Sequence, residues 1–196
     1  MKLLIKDDFF ESPTEIRNVA LSLENYRVDN DFASSQSGWR GERSLPLSRY
    51  NIESLDNYSK NIFNICYEYF DLSNYVFPYF NEPVKNLTIT TYFHITTEET
   101  KQAFPDFWQD RLHKDPWCPC AGIVYLNENA PLKSGTIVFD GENNQMINVD
   151  NKFNRLVAYD GHKIHGLADV FGTSRETGRL TFNFFIHESD EPLEDE

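Results

Sequence analysis

At 196 residues, 40% hydrophobic and 15% aromatic, the chain carries enough apolar surface to fold as one domain and too much to stay disordered. Its formal net charge of −13 argues against a nucleic-acid backbone or an anionic membrane surface as partner, since both call for a basic face. The opening MKLLIKDDFF is broken by Lys6, Asp7 and Asp8, so it has neither a signal-peptide core nor the length of a membrane span.

In chain order, KLLIKDDFF reads as a short strand. SPTEIRNVALSLENY follows as a helix, with Ser12 at the N-cap, Pro13 at the first helical position and Glu15 completing a capping box. Its apolar face is Ile16, Val19, Ala20 and Leu23. SSQSGWRGERSLPL is a loop rich in Ser and Gly that carries Trp39, Arg40 and Arg43. A second helix covers about 51–71, with Ile52, Leu55, Ile62, Ile65, Cys66 and Tyr69 on one side.

From residue 86 the period changes to two. In LTITTYFHITT, Leu87, Ile89, Thr91, Phe93 and Ile95 alternate with Thr88, Thr90, Tyr92, His94 and Thr96. CAGIVYLNENAPLKSGTIVFDG predicts two strands joined by a turn-rich loop, NRLVAYDGHKIHGL one more, and GRLTFNFFIHE the last. Short strands separated by Gly, Asn, Asp and Pro turns predict a barrel or jelly roll. Six acids among the last nine residues make 189–196 a solvated tail rather than a packed strand.

The chemistry concentrates in that second half. In RLHKDPW, His113 and Asp115 stand two apart, and on an extended backbone such residues share a face. Downstream, YDGHKIHG offers His162 and His165. Two imidazoles and one carboxylate leave several coordination positions open, which suits a non-haem Fe(II) oxygenase better than zinc, which favours four-coordinate closure. In the final strand Arg179, Thr181 and Asn183 face one way and Leu180, Phe182 and Phe184 the other. An arginine pointing into an apolar barrel carries a cost that a bidentate carboxylate would offset, while a rim arginine paired with a local acid is the other reading of Arg179. The odd set of three cysteines, Cys66, Cys118 and Cys120, is poorly spaced for disulfides and predicts a reducing, cytoplasmic setting. WCPCAG, with two thiols at this spacing, is a weak metal or redox signal, and its cysteines are expected as small residues at the barrel mouth. His94 is expected as a barrel-wall histidine, with a place beside the site as the alternative, and His187 as a surface residue; Trp117 could wall the site, and the loop bearing Trp39 and Arg40 could close over it.

His-x-Asp, a distal His and a late-strand Arg, in that order, resemble the Fe(II)/2-oxoglutarate-dependent dioxygenases. Fifty residues separate Asp115 from His165, and fourteen more reach Arg179. NRLVAYDGHKIHG resembles the family's distal-histidine strand, in which the ligand follows a few residues after an apolar run ending in an aromatic, and that resemblance implies His165 over His162 as the distal ligand. IKDDFFESPTEIRNVALS is similar to the entry strand and helix of small prolyl-4-hydroxylase-like members of bacterial and phage type. The resemblance is weakest over residues 30–85.

It implies an α+β, mainly β fold: a double-stranded β-helix, jelly-roll and cupin-like, with N-terminal helices packed on it. One domain would cover 1–188, helical over about 1–80 and barrel over about 86–188. His113, Asp115 and His165 would hold Fe(II). Arg179 would clamp the far carboxylate of 2-oxoglutarate, with Thr181 as a hydroxyl donor and Tyr92 either a second donor or a barrel-wall tyrosine. The implied reaction consumes dioxygen, releases succinate and CO2, and hydroxylates an unactivated C–H bond of a small-molecule or peptidyl substrate, with ascorbate as reductant. Asp115 fills the coordination position a halide would need, which argues against halogenation. Two rival readings are a cupin-like binding protein without turnover and a zinc hydrolase. The latter leaves Arg179 without a role.

Overall fold

The computed structural model describes residues 1–24, 26–28, 41–78, 81–103, 111–141 and 145–189. Its elements are β1 (Leu3–Lys6), α1 (Pro13–Ser22), β2 (Arg27–Val28), β3 (Glu42–Arg43), α2 (Glu53–Phe70), β4 (Val76–Phe77), β5 (Glu82–Pro83) and β6 (Leu87–Thr96). They continue with α3 (Glu98–Ala103), β7 (Leu112–His113), β8 (Cys120–Tyr125), β9 (Thr136–Asp140), β10 (Gln145–Val149), β11 (Leu156–Tyr159), β12 (His165–Leu167) and β13 (Arg179–Glu188). Among the described residues no helix is long and apolar enough to cross a membrane.

Two antiparallel sheets form the barrel. The major sheet runs β1-β11-β8-β13-β6-β3-β2 and the minor sheet β10-β9-β12-β7, while β4 and β5 make a separate hairpin. This is the double-stranded β-helix expected above. Its spine is the pair β13–β6, in register from Arg179↔Thr96 to Glu188↔Leu87. The alternation of β-branched and aromatic side chains suits both strands to a sheet buried on two faces.

One set of faces meets the helices. Phe93, Ile95, Leu180, Phe182 and Phe184 pack with Ile16 and Ala20 of α1 and Leu55, Ile62, Cys66 and Phe70 of α2. Phe93, Phe182 and Phe184 are fully buried. Each contributes about 1.5–3 kcal/mol of apolar transfer free energy, so this layer anchors the fold. The opposite faces, with Ala121, Ile123, Tyr125, Val157, Tyr159 and Phe185, meet Val138, Val149 and Ile147 of the minor sheet across the barrel.

Several local expectations change. Ser12 receives the first helical N–H groups, those of Glu15 and Ile16, on its carbonyl, and its side chain makes no cap. The buried stripe of α2 includes Phe70, whereas Tyr69 is 42% exposed, because its hydroxyl reaches round to the Leu3 carbonyl of β1 at 3.0 Å. The predicted strand 154–167 is two strands in different sheets, β11 and β12, separated by a turn closed by Lys163 N–H to Asp160 O at 3.0 Å. The first half also contributes β2 and β3 to the major sheet and the β4–β5 hairpin, none of which the helical reading of that half predicts. The loop residues Trp39 and Arg40, and the tail from 190 onward, lie outside the described residues.

Candidate metal centre and its cavity

The minor sheet brings two histidines face to face. β12 pairs with β7 in the register His165↔His113, and the rings meet edge-on with centroids 4.6 Å apart. Each ring is oriented by the carbonyl two residues before it. His165 Nδ1 lies 2.8 Å from Lys163 O and His113 Nδ1 3.4 Å from Arg111 O, which turns both Nε2 atoms inward. A backbone acceptor on the far nitrogen is the usual way a ligating imidazole has its tautomer fixed.

Asp115 lies just past the end of β7, so strand geometry does not carry it as the two-residue spacing implies. A turn does: Asp115 N–H donates to Gly161 O at 2.8 Å, and Asp115 O accepts Cys118 N–H at 3.0 Å. The carboxylate then stands with Oδ1 3.9 Å from His113 Nε2 and Oδ2 3.3 Å from His165 Nε2. Ligand atoms of the three residues all lie within 4.8 Å of one another. Oδ2 is buried and has no hydrogen-bond donor. A buried carboxylate oxygen left this way is costly unless a cation completes it. Burial, together with the neighbouring His165, pushes the His113 pKa below its ordinary value and favours the neutral form a metal requires. The donor set therefore fits a divalent transition metal held on one face.

The cluster opens into a cavity of about 80 Å³, which Arg179 also lines. Arg179 is 4% exposed; its Nε donates to Ser134 O at 3.0 Å and its Nη2 to Gly135 O at 3.3 Å. Its guanidinium also lies 5.6 Å over the Tyr125 ring. Among the described residues it pairs with no carboxylate, and burial pulls its pKa below the usual arginine value. A buried cation without a counter-ion is costly. One cavity thus holds a donor set that fits a cation and a guanidinium without a carboxylate partner among the described residues.

The two hydroxyls expected to assist Arg179 are not among the residues lining the cavity. Thr181 is fully buried and donates to Asn183 Oδ1 at 2.6 Å; Asn183, two residues on, lines the cavity in its place. Tyr92 instead packs on Phe185, with centroids 6.3 Å apart, and takes the Arg43 guanidinium on its ring at 5.0 Å. His94, read as a barrel-wall histidine, lines the cavity. His162 is not in the cluster: its ring packs in a triangle with those of Tyr75 and Phe77.

Trp117 is 50% exposed and packs on the outer side of Phe185 and on His187, bordering a groove with Phe77 and Pro83 instead of walling the cavity. His187 is partly buried, its Nε2 2.8 Å from Thr90 Oγ1. Cys118 and Cys120 are fully buried, not at the mouth, and Cys118 Sγ donates to Cys120 O and Ile186 O. Burial pushes both thiols up in pKa and keeps them protonated.

Arg111, Tyr159 and Phe185 also line the cavity and were not singled out from the sequence. Two of them had a usable signal. Arg111 shares the parity of His113 and Asp115, and Phe185 that of Arg179. Tyr159, whose ring lies 4.4 Å from that of His165, reaches the site only through packing across the barrel.

No family model and no curated protein matches the chain. Solved structures do match. A Pseudomonas putida prolyl-4-hydroxylase aligns over 95% of this chain and 92% of its own, with TM-score 0.58 and 13% identity. SnoN, a non-haem α-ketoglutarate-dependent epimerase of nogalamycin biosynthesis, aligns over 95% and 77%, with TM-score 0.57 and 9% identity. HygX from Streptomyces hygroscopicus, with nickel, 2-oxoglutarate and hygromycin B bound, aligns over 96% and 83%, with TM-score 0.56 and 13% identity. At these identities the likeness is one of fold: the chain has the double-stranded β-helix of the 2-oxoglutarate oxygenases.

Proposed function

We propose that the protein is an Fe(II)- and 2-oxoglutarate-dependent oxygenase that hydroxylates an unactivated C–H bond. One observation carries the reading: an orphaned, buried Asp115 oxygen between two oriented histidines shares a cavity with a buried arginine that lacks a carboxylate partner. A ligand that chelates a metal at one end and presents a carboxylate at the other satisfies both. HygX, which shares the fold, binds 2-oxoglutarate and nickel together, and this supports the same pairing here.

His113, Asp115 and His165 would hold the iron. Iron and 2-oxoglutarate, when bound, supply dioxygen activation coupled to decarboxylation of the co-substrate to succinate. The chain's own residues orient and enclose. Arg179, fixed by the Ser134 and Gly135 carbonyls, presents a planar fork to the distal carboxylate. Thr181 holds Asn183 Oδ1, which leaves the Asn183 amide N–H2 as a donor on the cavity wall. Ile123, Tyr159 and Phe185 supply apolar surface that excludes water.

The substrate falls within two classes, a peptidyl residue or a small molecule, as a prolyl-4-hydroxylase and a hygromycin-binding protein both share this fold. Mixing the protein anaerobically with Fe(II) and 2-oxoglutarate tests the shared site. The expected result is a visible charge-transfer absorption that needs both components and disappears in Asp115→Ala. No band in the wild type would contradict the joint site and leave the binding-protein reading in its place.

A further inference from the structure

The turn between β11 and β12 touches both halves of the metal cluster. Gly161 O accepts the Asp115 N–H at 2.8 Å, and Lys163 O faces His165 Nδ1 at 2.8 Å. The spacing of the carboxylate and the distal imidazole is therefore set by the shape of four consecutive residues, 160–163. Gly161 has to be glycine for this: a Cβ there would collide with the Cys118 carbonyl and crowd that of Asp115. The turn thus packs backbone against backbone on the Asp115–Cys118 turn.

What stiffens those four residues comes from outside the cavity. Asp160 Oδ1 accepts the His162 N–H at 2.9 Å and lies 3.2 Å from His162 Nδ1. The Tyr75 hydroxyl donates to the same Oδ1 at 3.0 Å and stands 2.8 Å from His162 Nδ1. The rings of Tyr75, Phe77 and His162 form a three-ring cluster, with centroids 5.9 Å (Tyr75–His162), 5.8 Å (Phe77–His162) and 6.0 Å (Tyr75–Phe77) apart. Burial and the Asp160 carboxylate hold the Tyr75 hydroxyl in its protonated, donating form. His162 is 7% exposed, so the arrangement is internal, not a solvated surface contact.

We propose that Tyr75, Asp160 and His162 form a strut that sets the Asp115–His165 separation, making them positioning residues for metal binding. The inference rests on the metal reading of the cluster. It gives a task to His162, the histidine that competes with His165 in the sequence: it braces the turn that aims the true ligand. Partners one step removed from a ligand typically change metal affinity by about 10–100-fold when removed.

The test is Co(II) titration of the full chain, read by visible ligand-field absorption, beside the thermal midpoint of the metal-free protein. Tyr75→Phe removes one hydroxyl and keeps the ring. It should weaken Co(II) binding about tenfold and alter the absorption shape, with a midpoint within about 2 °C of wild type. Asp160→Asn should do the same. His162→Asn, whose amide N–H2 can replace the Nδ1–H as donor to Asp160 and Tyr75, should retain more affinity than His162→Leu. Tyr26→Phe, which loses a hydroxyl bond to Ala20 O at 2.9 Å beside β2, at the opposite edge of the major sheet from β1 and β11, should bind Co(II) as wild type does. Wild-type affinity and spectrum in both Tyr75→Phe and Asp160→Asn would overturn the strut. So would an affinity loss that merely follows a fallen midpoint. Failure of the wild type itself to bind Co(II), or undiminished binding by Asp115→Ala, would instead remove the metal reading, and the strut's role with it.

Discussion

The two sheets are built by different means. In the major sheet, β13 and β6 pair over ten residues in unbroken register, and their outer faces carry fully buried phenylalanines under the helices. In the minor sheet, β7 and β12 are two and three residues long and meet at only two register positions. Yet the minor sheet and its turns carry His113, Asp115 and His165, while the major sheet supplies Arg179. Long pairing makes a stable wall with one inward-facing cation. Short strands, each ending in a turn held by specific hydrogen bonds, let three side chains converge on a point, which a straight strand with two-residue periodicity cannot do. The metal-ligand candidates thus sit on the short-stranded sheet and the long stabilising pairing on the other, and substitutions at the two places should fail differently.

The largest effect is expected in the wall. Phe182→Ala empties a fully buried site between β13 and the helices and should cost about 3–5 kcal/mol in chemical denaturation, while folded protein below the midpoint still binds metal. The mirror image is Asp115→Ala. It should lower divalent-metal affinity by more than about 100-fold and leave the denaturation midpoint unchanged or raised, because it removes a buried, unsatisfied oxygen. If both variants lost stability equally, the division between sheets would be wrong.

Arg179→Lys sits between the two. Loss of the planar fork should weaken 2-oxoglutarate binding about 10–100-fold in calorimetry with metal affinity unchanged. The smallest effect is at the edge of the wall, where Asp7 accepts Arg155 Nε at 2.6 Å and Lys152 Nζ at 2.7 Å and ties the β1 end to the start of β11. The Arg155 hydrogen bond, then that of Lys152, holds the Asp7 carboxyl far below its ordinary pKa. A depressed carboxylate stabilises the fold above its unfolded pKa, near 3.9, and loses that contribution as pH falls toward its folded value. The site is about one-third exposed and therefore screened, so Asp7→Asn should cost only about 0.5–1 kcal/mol at pH 7, and its deficit should shrink below about pH 4. A deficit that grew on acidification would contradict this sign.

The same division explains what could be read from the residues. Alternation along β6 and β13 is a local property, so the strand bounds, the inward face of Arg179 and the outward Phe182 and Phe184 were all legible. His113 and Asp115 were legible too, from residue type and spacing, whereas residue type left His162 and His165 both open and only the family resemblance favoured His165. What escaped depends on contacts between distant segments. Thr181 and Asn183 share a face, and only the 2.6 Å bond between them decides which of the two reaches the cavity. Tyr92 has the parity of a site residue but is taken up by Arg43 and Phe185. The break between β11 and β12 was hidden because LVAY and HGL continue one apolar run, and sheet exchange is marked only by Asp160 and Gly161. Cys118 and Cys120 look like a paired motif, but burial on opposite sides of the major sheet separates their roles.

The most direct test of the account is succinate formation from 2-oxoglutarate by protein reconstituted with Fe(II) in air, with ascorbate and without added substrate. The account predicts slow, dioxygen-dependent succinate release that disappears in Asp115→Ala and, at limiting co-substrate, falls sharply in Arg179→Lys. Succinate formed equally well by the Asp115→Ala protein, or none formed by a wild type that binds neither metal nor 2-oxoglutarate, would contradict it.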